Sequence, residues 1–400
     1  MTKPESISAQ GKLVLAFAFV LGLTAVVTLR AHAQTFSVVH NFTGGSDGGG
    51  PLNGFAINAN GILYGVASSG GASNSGVVFK VNKSGIETVL HSFTGGTDGA
   101  SPQGSLIRDK AGSLYGTTIA GGTYGLGTVF KVTVNKETVL YSFGGVSDGA
   151  NPQAGLVLDT AGNLYGTTSQ GGSSGNGTVF RLAPPQNNSG KWTETVLYSF
   201  GAGKDGKTPV AGVSLDAAGS LYGTTSAGGA HGYGTIFQLT PGAVWTEKIL
   251  HDFQDADDGA VPYAGLISDK SGNFYGAATE GGTGGGGTAF KLTPANGGWA
   301  FTVLYSVPGW GISGSYRNLV LDASGNLYGT THCDGNDGSG TVYKLAPSNG
   351  GWTYTVLYTF TGGSDGLYSF SNLVINKGNL YGTTLYGGAH NNGVVFKITP

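Results

Sequence analysis

The chain has 400 residues, 76 of them glycine, with 10% charged residues and a formal net charge of −2. Soluble domains usually carry about 25% charged residues, and so thin and balanced a charge, with no basic stripe, excludes nucleic acid as the natural partner. The glycines recur at fixed places, which excludes a disordered low-complexity chain, and the single cysteine, Cys333, excludes an internal disulfide.

In chain order, the first element reads as an export signal. Lys3 and Lys12 precede an apolar run from Leu13 to Leu29, and Ala31-His32-Ala33 offers small residues at a cleavage site. Cleavage after Ala33 is expected, rather than retention as an anchor. That leaves residues 34–400 as one domain with no further stretch able to cross a bilayer. A strand is expected next, over Phe36–Phe42.

From there a motif repeats seven times. The Tyr of L-Y-G or F-Y-G falls at Tyr64, Tyr115, Tyr165, Tyr222, Tyr275, Tyr328 and Tyr381, at spacings of 50 to 57 residues. Such a period signals a repeat architecture. Each unit holds four apolar runs, for example Gly155–Asp159, Leu164–Thr168, Thr178–Leu182 and Thr195–Phe200. All are rich in β-branched and aromatic residues and bounded by Gly, Asn, Asp or Pro, the signature of strands. No apolar stripe at helical spacing follows the first 33 residues.

Four antiparallel strands make a small sheet that must stack on its neighbours to bury both faces. The last unit, ending in Gly393–Ile398, lacks its fourth strand, and Phe36–Phe42 is a fourth strand without a unit. The expected fold is therefore all-β: a seven-bladed β-propeller of four-stranded antiparallel blades, closed by the N-terminal strand. The Gly after each repeat Tyr predicts close backbone approach near the axis. Asp109, Asp159, Asp216, Asp269 and Asp322 predict hairpin turns capped by their side chains.

The pattern G-N-L-Y-G-T-T-x-x-G-G-x-x-G-x-G-T-V-F-K-L, followed by V-L-Y-S-F and G-G-x-D-G-x-x-P, resembles the exported bacterial GloVer tandem repeat over essentially all of residues 36–400. The resemblance implies a repeat architecture and export, and no activity. Members often carry a C-terminal surface anchor. This chain departs from that pattern after its last strand, and a soluble, released monomer is expected. Trp192, Trp245, Trp299 and Trp352 add a similarity to kelch blades.

Two phosphate-like motifs fail their structural context. Gly201–Thr208 fits G-x-x-x-x-G-K-T, and Gly282–Gly287 fits G-x-G-x-x-G, but each precedes a strand rather than the helix that phosphate binding needs. No nucleotide is expected. The first is this unit's copy of a D-G loop. Equivalent loops carry Asp47, Asp98, Asp148, Asp205, Asp258 and Asp365. These carboxylates fit either Asx-type turns or calcium, which takes several oxygen ligands. In an up-and-down blade, the D-G loop and the T-x-x-G-G loop emerge on one rim, where binding usually sits.

The sixth unit breaks the pattern. Its D-G loop becomes Ser306–Tyr316 and its T-x-x-G-G loop becomes Thr331–Asp337. Departures from local consistency concentrate at functional sites, though drift in one repeat gives the same pattern. Trp310, Tyr316, Arg317, His332, Asp334 and Asp337 form the candidate ligand patch, with Cys333 read as a tolerated thiol. Tyr124, His231, Tyr233, Tyr386 and His390 decorate the same rim. No catalytic group is assignable. The expected role is an exported, non-catalytic binding or scaffold module for a glycan or surface protein. The alternatives are an extracellular polysaccharide hydrolase or lyase with carboxylates at the central channel, and a structural envelope component.

Overall fold

The strand Thr178–Ala183 lies between Leu164–Thr168 and Thr193–Ser199, all antiparallel, and Val157–Leu158 completes the sheet on the far side of Leu164–Thr168. This four-stranded blade recurs seven times, with one additional short strand, Ala100–Pro102, in the second. The computed structural model describes residues 34–134, 136–186, 190–201, 203–308, 318–335 and 338–400. The expected signal segment lies outside the described residues. No helix occurs among them.

The ring closes as the two incomplete ends require. Thr35–Asn41 pairs antiparallel with Val394–Thr399, from Thr35 opposite Thr399 to Asn41 opposite Val394. The seventh blade therefore takes its outer strand from the start of the domain. We number blades from the one that begins at Ala56–Ile57.

The G-L-V-L-D run pairs over only two residues, Val157–Leu158 in the third blade, where a five-residue strand was expected. Its first residues instead meet the neighbouring blade near the axis. A Cβ on Gly155 would come within 2.8 Å of the Ser105 carbonyl oxygen, and one on Gly212 within 2.7 Å of that of Gly155.

The Gly after each repeat Tyr has a different reason from the one expected. Gly166 stands directly opposite Phe180 in the sheet, and a Cβ there would lie 2.7 Å from that ring's Cζ. The close neighbour is an aromatic ring of the same blade rather than backbone. Phe79, Phe130, Phe237, Phe290 and Phe396 lie over their own glycines in the same way, and Tyr343 does so over Gly329.

These rings then pack between blades. Phe143 at the end of one outer strand meets Phe180 of the next blade edge-on, with centroids 5.1 Å apart. The same pair recurs as Phe42–Phe79, Phe93–Phe130, Phe200–Phe237 and Phe360–Phe396, and in a more tilted form as Phe253–Phe290. Edge-to-face pairs contribute about 0.5–1.5 kcal/mol beyond their burial. Between the fifth and sixth blades the two places hold Val307 and Tyr343 instead. The apolar core is thus a set of clusters shared by adjacent blades. One joins Val179, Leu197 and Phe200 to Val213, Leu221 and Phe237.

Both threonines of L-Y-G-T-T have work. Thr168 Oγ1 lies 2.8 Å from Thr178 Oγ1 within its blade. Thr167 Oγ1 donates to the Ala211 carbonyl of the next blade at 2.9 Å. In the outer strands the Leu of V-L-Y is a bulge: Val179 faces Tyr198 and Phe180 faces Val196, which leaves Leu197 between them. Bulges raise local twist, and this one recurs in every blade.

A loop-laced rim as the candidate functional site

The expected cohabitation of the two loop families holds. Lys207 of a D-G loop bridges to Ala227 of a T-x-x-G-G loop, as do Gly49 to Ser69, Ala150 to Gln170, Ala260 to Glu280 and Leu367 to Tyr386. The first Gly of the pair makes room for this. A Cβ on Gly171 would come within 2.3 Å of the Gly145 carbonyl oxygen. A second set of bonds runs to the preceding blade. The N–H groups of Asn151, Thr208, Val261 and Tyr368 donate to Leu126, Asn176, Tyr233 and Ser339 carbonyls at 2.8–3.1 Å. The rim is therefore laced within and between blades.

That lacing imposes strain. Asn151, Thr208, Val261 and Tyr368 sit at φ of 56°, 58°, 54° and 59°. The left-handed region suits Asn but penalises β-branched and bulky residues.

The D-G aspartates close their own turns. Asp148 accepts the Gly144 and Gly145 N–H groups at 2.8 and 2.9 Å and the Tyr141 hydroxyl at 2.6 Å. Asp365 accepts from Thr361 N–H, Thr361 Oγ1 and Tyr358 Oη. Asp205 accepts from Gly201 N–H and Tyr198 Oη. Asp47 and Asp98 bond to Thr43 and Thr94 and lie 3.6 and 3.3 Å from His40 and His91. Asp258 lies 2.9 Å from His251 Nε2. Among the described residues no three His, Cys, Asp or Glu groups gather into a metal-holding cluster. The hairpin aspartates are equally engaged. Asp159 accepts from Ala161 and Asn163 N–H, Asn163 Nδ2 and Tyr165 Oη, and these bonds hold its carboxyl below the ordinary range despite partial burial. The repeat Tyr thus anchors a turn on the opposite rim.

Of the candidate patch in the sixth blade, His332 and Asp334 are placed. Trp310, Tyr316, Arg317 and Asp337 lie outside the described residues. His332 packs against Phe370 and Tyr368, with centroids 4.1 and 4.4 Å away, and Tyr368 meets Tyr386 edge-on at 6.3 Å. Burial pushes the imidazole down to about 4, so it is neutral near pH 7. Asp334 accepts the Gly335 N–H; burial raises the Tyr305 and Tyr354 hydroxyls, and the Asp334 charge adds to it. Burial raises the Cys333 thiol, which makes it a poor nucleophile. Tyr368 and Phe370 extend the patch onto the seventh blade, a neighbour relation that a single repeat unit does not reveal. Elsewhere on the rim Tyr124, Tyr233 and Tyr386 are 65%, 39% and 44% exposed, and His231 Nδ1 lies 3.6 Å from Asp252.

A cavity of about 380 Å³ lies where the inner segments converge. Asn318 Oδ1 accepts the Gly265 N–H at 2.6 Å. Asn372 Oδ1 accepts the Asn318 N–H at 2.8 Å, and its Nδ2 donates to Ser105 Oγ at 2.9 Å. The lining is amide, hydroxyl, glycine and aliphatic, with Tyr263, and holds no Asp or Glu among the described residues.

The Gloeobacter/Verrucomicrobia repeat family model matches residues 13–215 and 211–400. No curated protein matches the chain. Among solved structures, it is similar to candidate 6-phosphogluconolactonases from Bacteroides uniformis and Bacteroides fragilis. The first gives a TM-score of 0.52 at 14% identity, over 80% of this chain and 88% of that one. The second gives 0.51 at 16% identity, over 80% and 86%. It is also similar to the extracellular domain of a candidate one-component system from B. thetaiotaomicron, with a TM-score of 0.55 at 9% identity, over 87% of this chain and 38% of that one. At these identities the likeness is one of fold.

Proposed function

This chain belongs to the Gloeobacter/Verrucomicrobia repeat family, and from that premise we propose that it is an exported, non-catalytic binding or scaffold propeller whose ligand, a glycan or a surface protein, is held on the loop-laced rim. One observation carries the reading: Tyr124, Tyr233 and Tyr386 stand exposed on glycine-rich loops that are fastened to both neighbouring loops by backbone hydrogen bonds. Aromatic faces on a rigid scaffold suit the CH faces of sugars and the side chains of a protein partner. The rim also holds the neutral His332–Tyr368–Phe370 group, which adds apolar contact without charge.

The test is titration of the protein with a panel of polysaccharides, sugar lactones and envelope extracts, followed by both binding and product release. Binding without turnover is expected. Tyr386→Ala, Tyr124→Ala and Tyr233→Ala are expected to weaken it at least tenfold in one case, with unchanged melting temperature. Product release would overturn the non-catalytic reading. Absence of binding across the panel would leave a structural envelope role.

A further inference from the structure

Neighbouring blades meet along seven outer seams, and one strand position sets the chemistry of each. In chain order that position is Phe36, Glu87, Glu137, Glu194, Glu247, Phe301 and Tyr354. At three consecutive seams it is aromatic and lies flat on a ring of the preceding blade. Phe301 stacks on His251 with centroids 3.7 Å apart and planes 2° apart. Tyr354 stacks on Tyr305 at 4.7 Å and 3°, and Phe36 on Tyr358 at 3.8 Å and 8°.

At the other four seams the position is Glu. The ring in the equivalent place on the preceding blade is His40, His91, Tyr141 or Tyr198. The Tyr141 and Tyr198 hydroxyls donate to Asp148 and Asp205, and the Nε2 atoms of His40 and His91 lie 3.6 and 3.3 Å from Asp47 and Asp98. The Oε1 atoms of Glu87, Glu137, Glu194 and Glu247 are buried with no hydrogen-bond partner. An ionised carboxylate in that position loses solvation and is repelled by the neighbouring Asp. A proton removes both costs.

We propose that the four Glu seams are proton-linked: they close with the Glu carboxyls neutral and loosen together when these ionise, while the three aromatic seams stay shut. Burial is the main push on each Glu, and Asp47, Asp98, Asp148 and Asp205 add to it, raising all four from 4.5 to about 7. Lys136 pulls Glu137 the other way, and the Tyr141 and Tyr198 hydroxyls face Glu194 and Glu247. Because the folded value lies above the ordinary one, this stabilisation is complete below pH 4.5 and is lost as pH rises through about 7. His40 and His91 are lowered by burial against the pull of their aspartates, so their contribution is lost as pH falls below 6.5. The arc from the seventh blade to the fourth is therefore tightest in mildly acid solution.

The test is urea unfolding of the full chain from pH 5 to about 8.5, with hydrogen exchange at both ends of the range. The folding constant is expected to fall as pH rises, with each Glu contributing at most about tenfold per pH unit. Amide protection, corrected for intrinsic rate, should drop in the outer strands of the Glu seams and hold in those of the aromatic seams. The variant E87Q/E137Q/E194Q/E247Q should abolish the fall. A wild-type slope in that variant, or equal loosening of both seam types, would overturn the proposal. If the quadruple variant does not fold, E194Q/E247Q in the two histidine-free seams should remove about half of the slope, and an unchanged slope there would overturn it equally.

Discussion

Phe180 covers the Cα of Gly166, its strand partner, so closely that a methyl group on Gly166 would meet the ring at 2.7 Å. The ring cannot retreat, because its other side is fixed by Phe143 of the preceding blade. Gly166→Ala is expected to destabilise the protein by about 1–3 kcal/mol, the usual cost of overpacking. Phe180→Leu should remove part of that clash, so the double variant should lose less than the sum of the single losses. Denaturant unfolding of all three proteins measures the coupling.

Val261 pays for its rim bond with a φ of 54°. The same place in other blades holds Asn151 and Gly50, residues that adopt this conformation readily. Val261→Asn keeps the N–H that donates to the Tyr233 carbonyl. It is expected to stabilise the protein by about 1 kcal/mol, read as a higher melting midpoint.

Asp148 holds two backbone N–H groups and a tyrosine hydroxyl. Asp148→Ala is expected to cost about 1–3 kcal/mol through those unpaired groups. The loss should be the same in calcium and in chelator, because the carboxylate oxygens already serve the turn. A calcium-dependent rise in the wild-type midpoint that disappears in Asp148→Ala would instead identify a metal ligand.

His332 is expected to remain uncharged until pH approaches 4. Its folded value lies below the ordinary 6.5, so its contribution to stability is present above pH 6.5 and is lost as pH falls toward 4. A proton-detected titration of the imidazole checks the midpoint. A value near 6.5 would show that the ring is not packed between Tyr368 and Phe370 as described.

Removal of residues through Phe42 is expected to leave the Val394–Thr399 edge unpaired. Unprotected edges template association between chains. The truncated protein should elute as larger species and lose its cooperative melt.

What the residues reveal unaided is whatever each repeat writes in its own alphabet. The strands, the Asp-capped hairpins and the donated edge follow from the spacing of Tyr165 and its equivalents and from the orphan strand Phe36–Phe42. Relations between repeats stay hidden. Gly166 reads as an axial glycine because one unit alone does not show that Phe180 lies over it. The Glu-or-aromatic alternation at Glu194 and Phe301 reads as ordinary outward-facing variation until the next blade is laid against it. In the same way His332 gains Tyr368 and Phe370 only through the neighbouring blade. Four of the six residues of the candidate patch, Trp310, Tyr316, Arg317 and Asp337, lie outside the described residues.

The Asn41 side chain accepts the N–H of Ala389, 348 residues further along the chain. During synthesis the Thr35–Asn41 strand is made long before its partner Val394–Thr399, and the blades between them can form before the two meet. Such distant pairing slows folding, so the rate of ring closure is governed by the search between two strands far apart in sequence rather than by the assembly of any single sheet.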